Sequence, residues 1–235
     1  MDCLRKGYSF DNAFDYEKCY NEFKLAKANF CRQGTFYKEI DMELSVEEFE
    51  GMQSKWHLWF NEHAELAGFK NWGLKIRGAE ILEVGCGWGY CASLVMRENP
   101  KRYVGLDVMT EQLEIARKRG MENAVFEQGD AADLSRFADD SFDYVLDFCI
   151  LHHVEGWRSF LDEAYRVLKP GGSVFVHDLS KKGVHLTDFL THWGHAEAPL
   201  FTLKEFETQA RKSGFVIAHR WNWVWLDGVY RLDKK

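Results

Sequence analysis

Three glycines alternate with other residues directly after a short apolar run, in residues 81–89, which read ILEVGCGWG. Such glycines let a ligand approach the backbone, and the amides that open a following helix point at the same place. A tight turn that binds nothing is one alternative, although a single turn seldom needs three glycines. A dinucleotide site is another, but Tyr90 breaks its G-x-G-x-x-G fingerprint. The segment therefore predicts a ligand-binding loop and disfavours NAD.

Short apolar runs recur through the middle of the chain, with room for helices between them. The runs cover residues 79–84, 102–106, 124–127, 142–148 and 173–177. This rhythm predicts an α/β fold in which helices cover both faces of a parallel sheet. Thr110 is the expected cap of a helix over Glu111–Arg119, and Gly120 is the expected stop.

The two ends of the chain differ from this middle part. Capping boxes that begin at Ser45 and Thr202 predict two helices, the first running to about Leu66 and ending at Gly68. Aromatic-rich stretches on either side of Asp227-Gly228 predict an antiparallel pair at the sheet edge. We interpret residues 1–75 as a helical cap and residues 76–235 as the core, with a substrate-side insertion at about 181–200.

The glycine run resembles the first motif of class I S-adenosylmethionine-dependent methyltransferases, and the type 11-like small-molecule enzymes in particular. The likeness continues through YVGLD at 103–107, QGDA at 128–131, FDYV through LHHV at 142–154 and EAYRVLKPGG at 163–172. It implies a doubly wound, mostly parallel, Rossmann-like seven-stranded sheet of order 3-2-1-4-5-7-6. It also implies S-adenosyl-L-methionine as the cofactor and S-adenosyl-L-homocysteine as the product.

The resemblance further implies roles for single residues. Glu83 would face the amino acid part of the cofactor, Asp107 the ribose hydroxyls and Asp130 the adenine amino group. The backbone carbonyl of Asp147 would receive the cofactor's ammonium. The other implied cofactor residues are Gly85, Cys86, Gly87, Gly89, Val108, Gln112, Gly129, Ala131 and Phe148. Ordinary alternatives are a strand-end cap for Glu83, a solvated acid for Asp107 and a turn cap for Asp130.

His152 and His153 follow the fourth apolar run, beside the expected position of the methyl group. Displacement at a sulfonium depends chiefly on alignment and on exclusion of water, so only an acceptor that arrives protonated needs a base. Both histidines are candidate catalytic bases. The alternative is packing or cofactor contact, which explains paired histidines at this place in the resembling family.

Further aromatic and histidine residues are candidates for the substrate wall. They are Tyr37, Trp56, His177, His185, His192 and Trp193. A metal site in this region lacks a third ligand at a defined offset from His192 and His195, so no metal is predicted. Trp56 lies at helical spacing from Trp59, which also fits a role in the core.

The charge balance disfavours several classes of partner. The 235 residues include 30 Lys+Arg against 37 Asp+Glu, for a net charge of −7, so a basic footprint for nucleic acid or anionic lipid is missing. No stretch approaches the roughly 20 apolar residues of a membrane-spanning helix, and no apolar segment follows the first residues. Six cysteines without a C-x-x-C pair read as reduced thiols. We therefore expect a cytoplasmic protein.

These observations predict a methyltransferase for a small-molecule acceptor, as a monomer or homodimer. Residues 147–150 read DFCI, in place of the (Asn/Asp)-Pro-Pro-(Tyr/Phe) signature of adenine- and glutamine-directed enzymes. The alternating Trp221, Trp223 and Trp225 suggest an alternative, a non-catalytic cofactor-binding subunit that activates a partner enzyme. A nicotinamide oxidoreductase is the third hypothesis.

Overall fold

A computed structural model describes residues 55–191 and 200–235. The chain divides into two compact units, Met1–Asp41 and Met42–Lys235, and every described residue lies in the second. The Ser45 capping box and most of the predicted cap lie outside the described residues, so the boundary at residue 75 stays a prediction. Within the described ranges, each helix is too short or too polar to cross a bilayer.

Seven strands form one sheet in the order β3-β2-β1-β4-β5-β7-β6. The strands are β1 Glu80–Val84, β2 Arg102–Asp107, β3 Ala124–Gln128, β4 Phe142–Phe148, β5 Leu168–Leu179, β6 Val216–Trp223 and β7 Asp227–Asp233. Strands β1 to β5 pair in parallel, and β7 runs antiparallel to both of its neighbours. The predicted strand order and the antiparallel pair at the edge are confirmed.

Helices cover both faces of this sheet. They are α1 Lys55–Phe60, α2 Ala67–Asn71, α3 Tyr90–Met96, α4 Thr110–Lys118, α5 Trp157–Val167, α6 Lys181–Thr191 and α7 Leu203–Lys212. A π-helical segment, Asn61–Leu66, joins α1 to α2. Alternate residues of β1 enter two separate cores, because Leu82 packs with α5 and α7 while Ile81 packs with α2, α3 and α4. The predicted doubly wound architecture is confirmed.

Two predicted helix ends are wrong. The helical segment predicted to end at Gly68 continues to Asn71. A Cβ at Gly68 would meet nothing within 4 Å, so the surroundings do not require a glycine at this position. Thr110 is the first residue of α4 and not its cap, and the flanking Met109 makes no side-chain cap bond. The helix begins one residue earlier than predicted, because the Met109 carbonyl already accepts the Leu113 N–H at 3.2 Å. The predicted stop at Gly120 is confirmed by its φ of +63°.

The hairpin between β6 and β7 turns earlier than predicted. Asp227 and Gly228 already belong to β7, and the turn occupies residues 224–226. Val224 and Trp225 adopt positive φ there, +49° and +69°, a conformation that sequence rules assign to Gly or Asn. The capping box of Thr202 is confirmed, because its side chain accepts from the Glu205 N–H and the Glu205 side chain accepts from the Thr202 N–H.

A buried acid lies inside the sheet. Glu83 on β1 is 2% exposed, and the Tyr103 hydroxyl on β2 donates to its Oε2 at 2.6 Å. Burial raises the pKa of Glu83 to about 8, although the hydrogen bond from Tyr103 lowers it. The carboxyl is therefore largely protonated near pH 7.

The Glu83→Gln variant is expected to change how stability depends on pH. Because the pKa of Glu83 rises from 4.5 in the unfolded chain to about 8 in the fold, the folded protein binds the extra proton across that window. The Glu83 contribution to the free energy of unfolding therefore falls as pH rises from 4.5 to 8. Glu83→Gln keeps an acceptor for Tyr103 and should gain about 2 kcal/mol relative to wild type between pH 6 and pH 8.

Urea unfolding at both pH values measures this difference. The exposed Glu122→Gln is the matched control and should follow the wild-type curve. A Glu83→Gln curve parallel to wild type would contradict the buried, protonated state of Glu83.

Candidate functional site

The loop between β1 and α3 depends on glycine for its shape. Gly85, Gly87 and Gly89 all adopt positive φ, at +64°, +48° and +78°. A Cβ on Gly85 would collide with the side chain of Ile150, and one on Gly87 would lie 2.9 Å from Gln112 Oε1. Larger residues therefore have neither the conformation nor the space. The three alternating glycines predicted to form a ligand loop share this one bend.

Asp107 at the end of β2 holds this loop in place. Its Oδ2 accepts the Gly87 N–H at 2.8 Å, its Oδ1 accepts the Met109 N–H, and its backbone carbonyl accepts the Gly129 N–H at 2.9 Å. Burial raises the pKa of the Asp107 carboxyl by more than its backbone hydrogen bonds lower it, so this pKa lies above its usual value. One residue thus joins the glycine loop to the loops that follow β2 and β3.

Other predicted cofactor residues lie around the same loops. Cys86, Gln112 and Ala131 are buried, and the half-buried Val108 accepts from Gln128 Nε2 through its carbonyl at 3.1 Å. Asp130 is exposed, and its Oδ1 accepts the Ala132 N–H at 2.8 Å. The turn-capping alternative for Asp130 is therefore present in the structure.

Three buried oxygens have no hydrogen-bond partner among the described residues, namely Glu65 Oε2 and two others. One is Asp147 Oδ2, whose sister oxygen Oδ1 accepts the Ile150 N–H at 3.0 Å. The other is Asn61 Oδ1, whose amide nitrogen donates to Cys91 Sγ at 3.2 Å. Burial and the charge of Asp178 raise the pKa of Asp147. Because unpaired buried acceptors cost free energy, these atoms indicate where a ligand with N–H or O–H donors fits.

The first candidate base has a well-defined orienting partner. His152 is 4% exposed, and its Nδ1 lies 2.6 Å from Asp178 Oδ1. Asp178 also accepts the backbone N–H groups of Leu151, His152 and Leu179. Since a carboxylate only accepts, Nδ1 of His152 carries the proton and the Nε2 lone pair is the basic one. His153 is half-buried beside it, with ring centroids 4.0 Å apart.

Cys149 approaches the same pair, and one ligand atom from each of Cys149, His152 and Asp178 lies within 4.8 Å of the others. Sequence reasoning singled out neither Asp178 nor Cys149 for this site. Because the Asp178 carboxylate is saturated by four N–H groups, the arrangement is that of a hydrogen-bonded His-Asp dyad.

His177 lies on β5 next to Phe148 of β4, between two carboxylates. Its Nδ1 is hydrogen-bonded to Glu65 Oε1, and its Nε2 lies 3.6 Å from Asp227 Oδ2. Burial lowers the pKa of His177, but the charges and hydrogen bonds of Glu65 and Asp227 outweigh burial and raise the pKa to about 10. His177 is therefore an imidazolium at neutral pH.

A cavity of about 510 Å³ opens at this histidine. It is lined by Phe60, Ala64, Glu65, His177, Trp221 and Asp227. Sequence reasoning named only His177 of these as a substrate residue. The sequence pattern that could have pointed to Glu65 is its four-residue spacing from Asn61, which places both polar side chains on one face of a helical turn.

Of the remaining predicted substrate residues, only His185 has a described side chain. His185 is exposed on α6 and is absent from the cavity lining. Tyr37, His192 and Trp193 lie outside the described residues, as does the side chain of Trp56.

Comparison with known proteins places this geometry in a family. Residues 82–176 match the family model described as a methyltransferase domain. The chain is 41% identical over 105 residues to the fatty-acid O-methyltransferase of Mycolicibacterium smegmatis, covering 44% of this chain and 38% of that protein. It is equally identical over 104 residues to a phthiotriol/phenolphthiotriol dimycocerosates methyltransferase of Mycobacterium tuberculosis, covering 43% and 38%.

Solved structures share the fold. An S-adenosylmethionine-dependent methyltransferase from Mesorhizobium loti superposes with a TM-score of 0.64 at 17% identity, over 74% of this chain and all of that one. The chain spans well under half the length of the two curated relatives named above. Residues 82–176 thus match a methyltransferase domain, and the strand order and the glycine loop match the fold of class I S-adenosylmethionine-dependent methyltransferases.

Proposed function

We propose that this protein binds S-adenosyl-L-methionine and transfers its methyl group to a small-molecule acceptor. The observation that carries the proposal is the glycine loop clamped by Asp107, which stands at the carboxyl ends of the central parallel strands. Ligands of open α/β sheets bind at these strand ends. Two relatives, named a fatty-acid O-methyltransferase and a phthiotriol/phenolphthiotriol dimycocerosates methyltransferase, support a small lipid-like acceptor over a macromolecule.

The residues present suit the chemical groups of this cofactor. The Asp107 carboxylate accepts backbone N–H groups such as those of Gly87 and Met109 and keeps acceptor capacity for a ribose hydroxyl. Asn61 Oδ1 and Asp147 Oδ2 are unpaired acceptors that would receive an ammonium group. Because Gly85, Gly87 and Gly89 carry no side chains, the backbone of the glycine loop is open to the same ligand. We therefore propose that these residues hold the cofactor, with Glu83 supporting the loop from within β1.

When bound, S-adenosyl-L-methionine supplies an electrophilic methyl group on a sulfonium. The protein's share of the reaction is then alignment, exclusion of water and, for a protonated acceptor, removal of a proton. We propose His152 for the proton transfer, because Asp178 fixes its tautomer and leaves the Nε2 lone pair as the acceptor. Asp178 acts as a positioning residue through this hydrogen bond.

Gly85→Ala tests whether the glycine loop binds the cofactor. The new Cβ would strike Ile150 and displace the loop, so the affinity for S-adenosyl-L-methionine in calorimetry should fall at least tenfold. Gly120→Ala is the matched control, because Gly120 also has positive φ but a Cβ there meets nothing within 4 Å. Asp107→Ala should likewise abolish binding, and unchanged affinity in both Gly85→Ala and Asp107→Ala would refute the proposed site.

His152→Gln tests the proposed base. The acceptor is first identified by screening metabolites for formation of S-adenosyl-L-homocysteine, and turnover in that screen also separates an enzyme from a non-catalytic subunit. Loss of a positioned base should then lower kcat about 100-fold while the Kd for the cofactor stays within twofold of wild type. Asp178→Asn should lower kcat and shift its pH profile. The exposed His219→Gln is the control, and a His152→Gln enzyme with wild-type kcat would assign the histidine to packing.

A further inference from the structure

One buried oxygen in the wall of the cavity at His177 lacks a hydrogen bond. Glu65 Oε1 is hydrogen-bonded to His177, but Glu65 Oε2 has no hydrogen-bond partner among the described residues. The Glu65 side chain is 3% exposed, so bulk water does not readily satisfy this oxygen. Because Glu65 lines the cavity, a molecule that occupies the cavity meets this carboxyl group. The wall thus offers an acceptor for which the described residues supply no donor.

The other carboxyl oxygen of Glu65 already has a charged partner. Because His177 is an imidazolium at neutral pH, its Nδ1 donates a charge-assisted hydrogen bond to Glu65 Oε1. What Oε2 lacks is a donor, and a hydroxyl supplies one donor without bringing a further charge out of water. A protonated amine would bring a charge and three N–H groups, each of which must leave water and find an acceptor of its own. Glu65 Oε2 therefore favours a hydroxyl.

Apolar side chains form much of the remaining wall. The ring centroid of Phe60 lies 5.7 Å from that of His177, and Ala64 and Trp221 also line the cavity. Trp221 is 52% exposed, so its indole offers a broad apolar surface to a ligand. The cavity volume of about 510 Å³ is in the range of small-molecule sites. The cavity therefore suits a polar group at one end of an apolar body.

We propose that this cavity binds an acceptor with a hydroxyl on an apolar body, the O–H donating to Glu65 Oε2 and the body packing against Phe60 and Trp221. The inference rests on the proposed function, because it names the acceptor class of that methyltransferase. The hydroxyl is an anchor, and its hydrogen bond to Glu65 requires no proton transfer. Glu65 is then a binding residue that selects the acceptor.

The cavity lies next to the residues proposed to hold the cofactor. His177 on β5 pairs with Phe148 at the end of β4, directly after Asp147. Burial raises the pKa of Asp147 most, and the charges of His177 and Glu65 also act on it, so the three groups are close together. A molecule anchored at Glu65 therefore lies beside the proposed cofactor site.

Three probes with one carbon skeleton test the requirement for a neutral donor: 4-phenylbutan-2-ol, 4-phenylbutan-2-one and 4-phenylbutan-2-amine. Calorimetry at pH 7.5 measures their binding to the full chain, with and without saturating S-adenosyl-L-homocysteine. The ketone has no donor and would cover Glu65 Oε2 without replacing its hydrogen bond to water. The alcohol should therefore bind at least tenfold more tightly than the ketone, and more tightly than the protonated amine.

Glu65→Gln tests which atom selects the hydroxyl. Because the His177 imidazolium donates, the oxygen of the new amide should face His177 and its NH₂ group should take the place of Oε2. That NH₂ group donates to a ketone as well as to an alcohol, so the preference for alcohol should fall to within twofold. Trp221→Ala should weaken both ligands alike and leave their ratio unchanged. Glu62→Gln is the matched control on the same helical segment, paired with Arg97, and should leave affinities and ratio unchanged.

The outcomes separate this inference from the proposed function. If S-adenosyl-L-homocysteine binds but the ketone or the amine binds as tightly as the alcohol, or the alcohol does not bind, the acceptor class is wrong and the methyltransferase proposal stands. If the alcohol is preferred but S-adenosyl-L-homocysteine does not bind, the hydroxyl site stands and the methyltransferase proposal fails. The wild-type ranking decides the question even where a variant fails to fold, which thermal unfolding monitors.

Discussion

One carboxylate, that of Asp107, organises the carboxyl edge of this sheet. It accepts the N–H of Gly87 and of Met109, two groups that would otherwise be unpaired at a loop and at a helix start. The backbone carbonyl of Asp107 also accepts the N–H of Gly129. Because these bonds come from segments after β1, β2 and β3, the bend of the glycine loop cannot relax independently of its neighbours. The site is therefore preorganised by the protein's own hydrogen bonds.

A second constraint is the number of acids at this edge. Glu83, Asp147 and Asp178 are all buried, and the surroundings of each carboxyl group compensate for burial in a different way. Burial leaves Glu83 largely protonated beneath the Tyr103 hydroxyl, whereas four N–H donors satisfy the Asp178 carboxylate. Asp147 keeps one oxygen unpaired. The edge as a whole thus favours ligands that bring donors and positive charge, which a sulfonium with an amino group does.

The parts of this structure that could be predicted from the sequence are those set by local rules. Positive-φ glycines and short apolar runs indicate the loop and the strands without any knowledge of distant contacts, and the Thr202 capping box lies within four residues. The cap predicted at Thr110 is wrong because the Met109 carbonyl already accepts the first helical N–H, that of Leu113. The resemblance, and not periodicity, implied the strand order.

The cavity could not be predicted in the same way. His177 and Glu65 are 112 positions apart in the chain, and only the packed fold brings them into contact. A π-helical segment carries Asn61 and Glu65, and this departure from the regular helical period changes which side chains face the site. Asp178 follows His177 on β5 but points to the opposite face of the sheet, where it meets His152.

The family match covers the glycine loop and its neighbours but not the cavity at His177. Residues 82–176 contain the glycine loop, Asp107, Asp147 and His152. The described residues that line the cavity lie outside that range, in the helical segment before β1, in the last part of β5 and in the hairpin of β6 and β7. The family match therefore covers most of the residues proposed to hold the cofactor and does not cover the lining of this cavity. The acceptor in a relative's name is consequently weak guidance for this protein, because the similarity does not extend over the residues around His177.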